Sequence, residues 1–484
     1  MSIMTAYARA EAVQAGRAQP IASVRHAHLS TRPLVFVPLK LAGEAAAPLG
    51  AMAGTHRDDP HLLVVPQPRN RDLRFAFVTE LAEIMLPYIE SFQQASETVG
   101  TKEPYERFLD APQILVPNPG GIGFTRLLGR STRFRQTDGP YPVDPSVPVL
   151  GRWLTFLAER TEFAGASTLL AMTEMLALHW ATGQSGTEDG NLAALLAWIA
   201  PPEGMTSPKA ASRAENPLLT PPAGPATDPG FDAVVLEPAI QAYDTTGSPA
   251  QVRSAIKSQL EPTWQLMWQA VDVLRALPEG ASVADRWARD RDEFTRYTAH
   301  LTGGGPPQAR LDSAVAAAMR LERLEDAQAR YDAQRAFDDP LVLAEHRLTG
   351  TTFAGQVIAA DPTRIVAGGR RMLRPLITVH TSDPIRLAPG QVLRSPARPG
   401  QKAEIIELDA GRITLELSGG MGNSLTPRAG SVPEIGERLT YTDLEVPSPR
   451  RRPPFPSREN TPWTHGGPPP EYVPTDEDAQ EAWS

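Results

Sequence analysis

At Pro340 the apolar period of the chain changes, and that change limits the available folds more than any other feature of the sequence. Before it, Ala314, Ala317, Leu321, Leu324, Gln328 and Tyr331 recur at alternating spacings of three and four. They form a narrow two-heptad seam among Arg320, Glu322, Arg323, Glu325, Asp326 and Arg330. A stripe this narrow covers one neighbour only, so residues 311–346 are expected to form a projecting helical arm or half of a helical hairpin, with an ordinary surface helix as the alternative. After Pro340 the period is two. Phe353, Gly355 and Val357 alternate with polar positions, Leu376 and Thr378 alternate with Ile377 and Val379, Gln391 to Leu393 is a short run, and Ile413, Leu415 and Leu417 alternate with Arg412, Thr414 and Glu416. Ile405 to Leu408 and Ile413 to Leu417 flank Asp409, Ala410 and Gly411, where the glycine can take the positive φ of a tight hairpin. Turn signals at Asp361-Pro362, Gly368-Gly369, Pro389-Gly390 and Pro399-Gly400 divide residues 348–442 into short strands, which predicts a small barrel of the OB or SH3 kind. Pro375 has no N–H to give a ladder and belongs at a strand start or an edge.

Charge sets this module apart. Arg364, Arg370, Arg371, Arg374, Arg386, Arg394, Arg398 and Lys402 share their segment with one acid, Asp383, for a net of +7 in a chain whose net charge is −9. A basic segment on an acidic protein is the footprint of a polyanion site, so these eight side chains are the candidate nucleic-acid contacts. The competing reading is a set of solvated loops.

The order of helix then barrel, with Gly355-Gln356-Val357, Pro389-Gly390-Gln391-Val392-Leu393 and the hairpin through Ile413 to Leu417, resembles the stalk and barrel inserted in superfamily 1 helicases of the nonsense-decay type. The resemblance covers residues 311–442 and rests on architecture. It implies a stalk and barrel that touch nucleic acid and modulate a motor. No Gly-x-x-x-x-Gly-Lys-Ser/Thr phosphate loop occurs in the chain, so no residue of the motor carries over, and the resemblance implies an accessory to a motor encoded separately.

The rest of the chain reads as an α+β multidomain protein. Its length allows two to four domains, and the 49 prolines indicate long loops and tails between folded parts. The absence of cysteine excludes disulfides and thiolate chemistry and makes a cytoplasmic location the default. The most apolar stretch, Ala164 to Trp180, is too short for a membrane span and contains Glu174, so no membrane contact is expected. Residues 1–24 are expected to be a flexible N-terminus. Residues 25–145 are expected to be a mixed α/β domain, with strands at Leu34 to Leu39, Leu62 to Val65 and Ile114 to Val116 and a helix over Phe75 to Phe92 that breaks or kinks at Pro87. Helical blocks follow at 149–200 and 231–302, separated by a Pro-rich linker or surface wrap at 201–230. In the second block Trp264, Met267, Trp268 and Val271 form a stripe that Trp287 and Phe294 are expected to meet. Residues 443–484 read as a Pro-rich disordered tail in which Trp463 and Trp483 are candidate anchors for a protein partner.

Sites of chemistry are sparse. The loop Asn118 to Phe124 is the nearest approach to a phosphate cradle, with Gly121, Gly123, Arg126 and Arg130 as candidate anion ligands. The dinucleotide fingerprint requires a third glycine where Arg126 stands, which favours a structural turn whose arginines face solvent or a partner. His26 and His28 could form half of a metal site, but no second pair is evident and an ordinary surface pair is the favoured reading, so no metal or cofactor is expected. No His-Glu-x-x-His and no Gly-x-Ser-x-Gly occurs. A triad could still be assembled around His179, His300, His346 or His380, but no catalytic residue is assigned. Three readings result: a non-catalytic accessory of a nucleic-acid-processing complex, a scaffold subunit without nucleic-acid contact, and a hydrolase or nucleotide-binding enzyme using the loop at 120–123.

Overall fold

The computed structural model describes residues 3–41, 47–217, 219–368 and 370–446. Trp463, Trp483 and the rest of the tail beyond Val446 lie outside them, as does the side chain of Arg370. The protein is mixed α/β and divides into two compact units, the larger mainly Arg25–Ala327 and the smaller mainly residues 328–446.

The larger unit is organised on a five-stranded sheet of β1 (Leu34–Lys40), β2 (Pro48–Gly54), β3 (His61–Val64), β4 (Ile114–Val116) and β5 (Leu169–Ala171), in the order β3-β2-β1-β4-β5. The first three strands form an antiparallel meander, and β4 and β5 continue it parallel to β1. Parallel strands need crossovers. Here α1 (Arg71–Glu90) lies between β3 and β4, and α2 (Pro119–Thr132) and α3 (Ser146–Arg160) lie between β4 and β5. Further along the chain come α4 (Ala250–Arg275) and α5 (Val283–Thr302).

Helices cover both faces of the sheet. Leu34, Phe36, Ile114, Val116 and Leu169 pack with α1, α2, α3 and Phe294 of α5, whereas Val35, Val37, Leu115 and Leu170 pack with Ile256, Trp264 and Met267 of α4 and with helix Leu192–Ile199. Two-sided burial explains why these strands read as continuous apolar runs instead of alternating ones. It also means that residues from 25–145, 149–200 and 231–302 all contribute to the same two cores.

Several expectations need correction. Trp287 and Phe294 do not meet the Trp264 stripe; they lie in the core on the opposite face of the sheet. Helix α1 does not break at Pro87, which lies within it, and a 3-10 turn over Ser91–Gln93 continues it past Glu90. The block at 149–200 contains strand β5, and the segment at 201–230 contains helix Ser207–Ala214, which buries Ala210 and Ala211. Strand β2 was not anticipated, because Pro-Leu-Gly-Ala-Met-Ala-Gly reads as a loop, yet each of its residues is buried. A Cβ on Gly50 would stand 2.8 Å from the Ile256 side chain, so the small residues of β2 let α4 lie close against the sheet.

The smaller unit begins within α6 (Ala314–Asp338), followed by α7 (Pro340–Thr349). The seam of α6 is largely uncovered: Ala314, Ala317 and Gln328 are exposed and Leu321 is 57% exposed, and burial in this helix is confined to Ala333, Gln334 and Ala336. Beyond α7 come β6 (Thr352–Asp361), β7 (Ile365–Gly368), β8 (Arg370–Leu373), β9 (Leu376–His380), β10 (Val392–Ser395), β11 (Arg398–Asp409), β12 (Arg412–Ser418) and β13 (Arg438–Thr442). Six of them close an antiparallel barrel in the order β6-β9-β12-β11-β10-β13. Phe353, Val357, Ile377, Val379, Leu393, Ile405, Ile413, Leu415 and Tyr441 fill its interior. The turn between β11 and β12 has Ala410 at φ 40° and Gly411 at φ 82°, the pair of positive angles that a two-residue hairpin loop takes to match strand twist.

Candidate nucleic-acid interface

Strands β7 and β8 are inserted between barrel strands β6 and β9 and, among the described residues, pair only with each other, Ile365 opposite Leu373 and Ala367 opposite Arg371. The root of this hairpin is closed by two arginines. The Arg374 backbone N–H donates to the Arg364 carbonyl at 2.9 Å, and Arg364 Nη1 donates to the Arg374 carbonyl at 3.0 Å. Both side chains also reach Glu416 on the outward face of β12, Arg364 at 2.6 Å and Arg374 at 3.6 Å. Further out, Arg371 is exposed and has no acidic partner among the described residues.

The other candidates divide the same way. Arg398 holds Glu437 through two hydrogen bonds of 2.7 and 3.1 Å, and this pairing keeps the Glu437 carboxyl below the usual carboxylate range. Arg394 meets Glu445 at 2.5 Å. Arg386 is exposed in the segment after β9, with its backbone N–H bonded to Gly350 O at 2.9 Å, and Lys402 is exposed on β11 opposite Ser418. Four of the eight basic side chains are therefore held by Glu416, Glu437 and Glu445, which lie beyond the basic segment in sequence. Residues 352–446 carry eleven basic and ten acidic side chains, a net of +1. The +7 of the shorter segment is thus not the charge of the folded surface. The outward positions of the period-two run at Arg412 to Glu416 already contained the missing signal.

The glycine loop lies at the carboxyl end of β4 and opens α2, the position where α/β sheets receive ligands. Here the chain itself covers it. Asn118 Oδ1 caps the helix by accepting from the Gly121 N–H at 3.3 Å, while its Nδ2 donates to Gly224 O at 2.7 Å. A Cβ on Gly120 would stand 2.5 Å from Pro225, and one on Gly121 2.7 Å from Val116, so these glycines serve close packing. Gly123 has open space around it. Arg126 pairs with Glu162 at 3.3 Å and Arg130 is exposed. The following arginines do not all face solvent: Arg133 is buried and donates to Gln308 O and Ala309 O, fixing the segment before α6.

Among the described residues, the candidate histidines His179 and His300 hydrogen-bond backbone groups. Buried His179 accepts from the His26 backbone N–H at Nε2, 3.1 Å, and places Nδ1 2.6 Å from Met175 O, which assigns the neutral Nδ1–H tautomer. His28 stacks on Trp287 at 4.1 Å, and burial lowers its pKa. His300 Nε2 lies 2.9 Å from Pro306 O; His346 is half-buried and His380 exposed. Among the described residues no group of three or more His, Asp or Glu is arranged to hold a metal, and no helix is long and apolar enough to cross a membrane. Comparison with protein-family models, curated proteins and solved structures finds no match.

Proposed function

We propose that the protein is a non-catalytic accessory that contacts single-stranded nucleic acid through the β7–β8 hairpin of its barrel, alongside a motor encoded separately. One observation carries this reading. Among the described residues the hairpin pairs only with itself, its root is locked through Glu416, and Arg371 stands exposed beyond that root without an acidic partner. A fixed base with the exposed Arg371 beyond it suits a phosphate backbone, which rewards positioned charge regardless of sequence. The contact surface is narrower than the whole run from Arg364 to Lys402. The test is fluorescence anisotropy with labelled single-stranded DNA and RNA across a salt series. Replacing Arg370 and Arg371 together with alanine is expected to weaken binding about tenfold at low salt and to flatten the salt slope by roughly 0.7 per lost phosphate contact. Wild-type protein without salt-sensitive binding overturns the reading. That outcome would favour the scaffold role instead, for which the near-neutral balance of residues 352–446 is the supporting observation.

A further inference from the structure

The larger unit contains a cavity of about 500 Å³ between helix Leu192–Ile199, helix Ser207–Ala214 and α4. Its origin lies in the sequence. Ala193 and Ala197 sit one turn apart on the first helix and Ala210 and Ala214 one turn apart on the second, so methyl groups line a space that longer aliphatic side chains would fill. Leu196 and Leu266 supply apolar wall. The size falls within the range of about 300–1,000 Å³ in which small-molecule sites occur, with mostly apolar walls and a few polar groups.

The polar groups are specific. Arg213 is the one charged side chain in the wall; it is exposed and has no acidic partner among the described residues. Gln265 and Gln269, one turn apart on α4, add neutral hydrogen-bonding groups. A half-open apolar pocket whose single charge is cationic complements a ligand with an aliphatic body and one anionic end. We propose that this cavity binds a medium-chain aliphatic carboxylate, the chain among Ala193, Ala197, Leu196 and Leu266 and the carboxylate at Arg213. The site is independent of the barrel and of the nucleic-acid reading.

The probes are decanoate and its uncharged counterpart decanol, titrated calorimetrically into the full chain. Saturable binding of decanoate, tighter than that of decanol, is expected, together with a decanoate-dependent rise in thermal midpoint. Ala197→Leu and Ala214→Phe fill the cavity from different helices, and each is expected to weaken both ligands at least about tenfold. Arg213→Gln, an exposed change compatible with folding, is expected to weaken decanoate about threefold and leave decanol unchanged, as befits a solvent-screened ion pair. Absence of saturable decanoate binding, equal affinity for the two ligands, or retention of binding by a folded filling variant overturns the proposal. Should both filling variants fail to fold, the decanoate and decanol affinities of wild type and Arg213→Gln decide it.

Discussion

Asp383 accepts two hydrogen bonds of 2.8 Å from the Arg347 guanidinium, and its Oδ2 also accepts from the Ala354 backbone N–H at 2.7 Å. The carboxylate thereby ties the last turn of α7 to the first barrel strand, with Thr381 Oγ1 donating to Ala354 O from the same loop. Asp383 is the single acid of the basic segment, and it is committed to this junction. Asp383→Asn is expected to destabilise the smaller unit by about 1–2 kcal/mol, a figure kept low because Arg347 is 42% exposed. Urea denaturation of the two proteins at neutral pH checks it.

The same pair carries a pH dependence. Hydrogen bonding from Arg347 holds the Asp383 carboxyl below its ordinary range in the folded state. A depressed folded pKa contributes stability that is present above the unfolded value, about 3.9, and is lost as the pH falls through the folded one. The stability gap between wild type and Asp383→Asn is therefore expected to be full at pH 6 and to shrink progressively below about pH 4. A gap that stays constant down to pH 2.5 would contradict the assignment.

Two glycines of α2 should respond in opposite directions. A Cβ on Gly129 would stand 2.6 Å from the Thr155 backbone nitrogen of α3, so Gly129→Ala is expected to cost about 1–3 kcal/mol despite alanine's better helix propensity. Gly123 has nothing within 4 Å of such an atom, and Gly123→Ala is expected to stabilise by about 0.5–1 kcal/mol. Thermal unfolding of the two variants supplies the comparison. A destabilised Gly123→Ala would mean that the loop needs its glycine for something other than packing.

Glu416 restrains both arginines at the root of the β7–β8 hairpin. Glu416→Gln leaves their charges uncompensated, and binding of single-stranded nucleic acid is expected to tighten about three- to tenfold at low salt, with a steeper salt slope. Unchanged or weaker binding by a folded variant would place the contact elsewhere on the barrel.

What the sequence disclosed depended on how far each interaction reaches along the chain. The hairpin from Ile405 to Leu417 has a turn with two positive φ angles and, over Arg412 to Ser418, alternating burial, both local properties, and the strands there lie where the sequence predicted them. Strands β1, β3 and β4 were visible as apolar runs. Strand β2 was not, because its small residues answer to Ile256 and Trp264 about 200 residues later, and no window around Gly50 contains that information. The charge balance of the candidate interface was hidden for the same reason. A segment from Arg364 to Lys402 could not include Glu416, Glu437 and Glu445, so its +7 described a stretch of chain, and a folded surface is made of neighbours in space.

The two-sided sheet imposes a schedule on synthesis. Leu34 and Phe36 belong to the same apolar cluster as Phe294, so this face of β1 leaves the ribosome long before part of its cover exists. At about 5–20 residues per second, the interval between Leu34 and Phe294 lasts roughly 10–50 s. Contacts so distant in sequence also form slowly once the chain is complete. Nascent chains ending before α5 therefore present an incompletely covered strand face to the cell, and that interval is when a holding chaperone has something to hold.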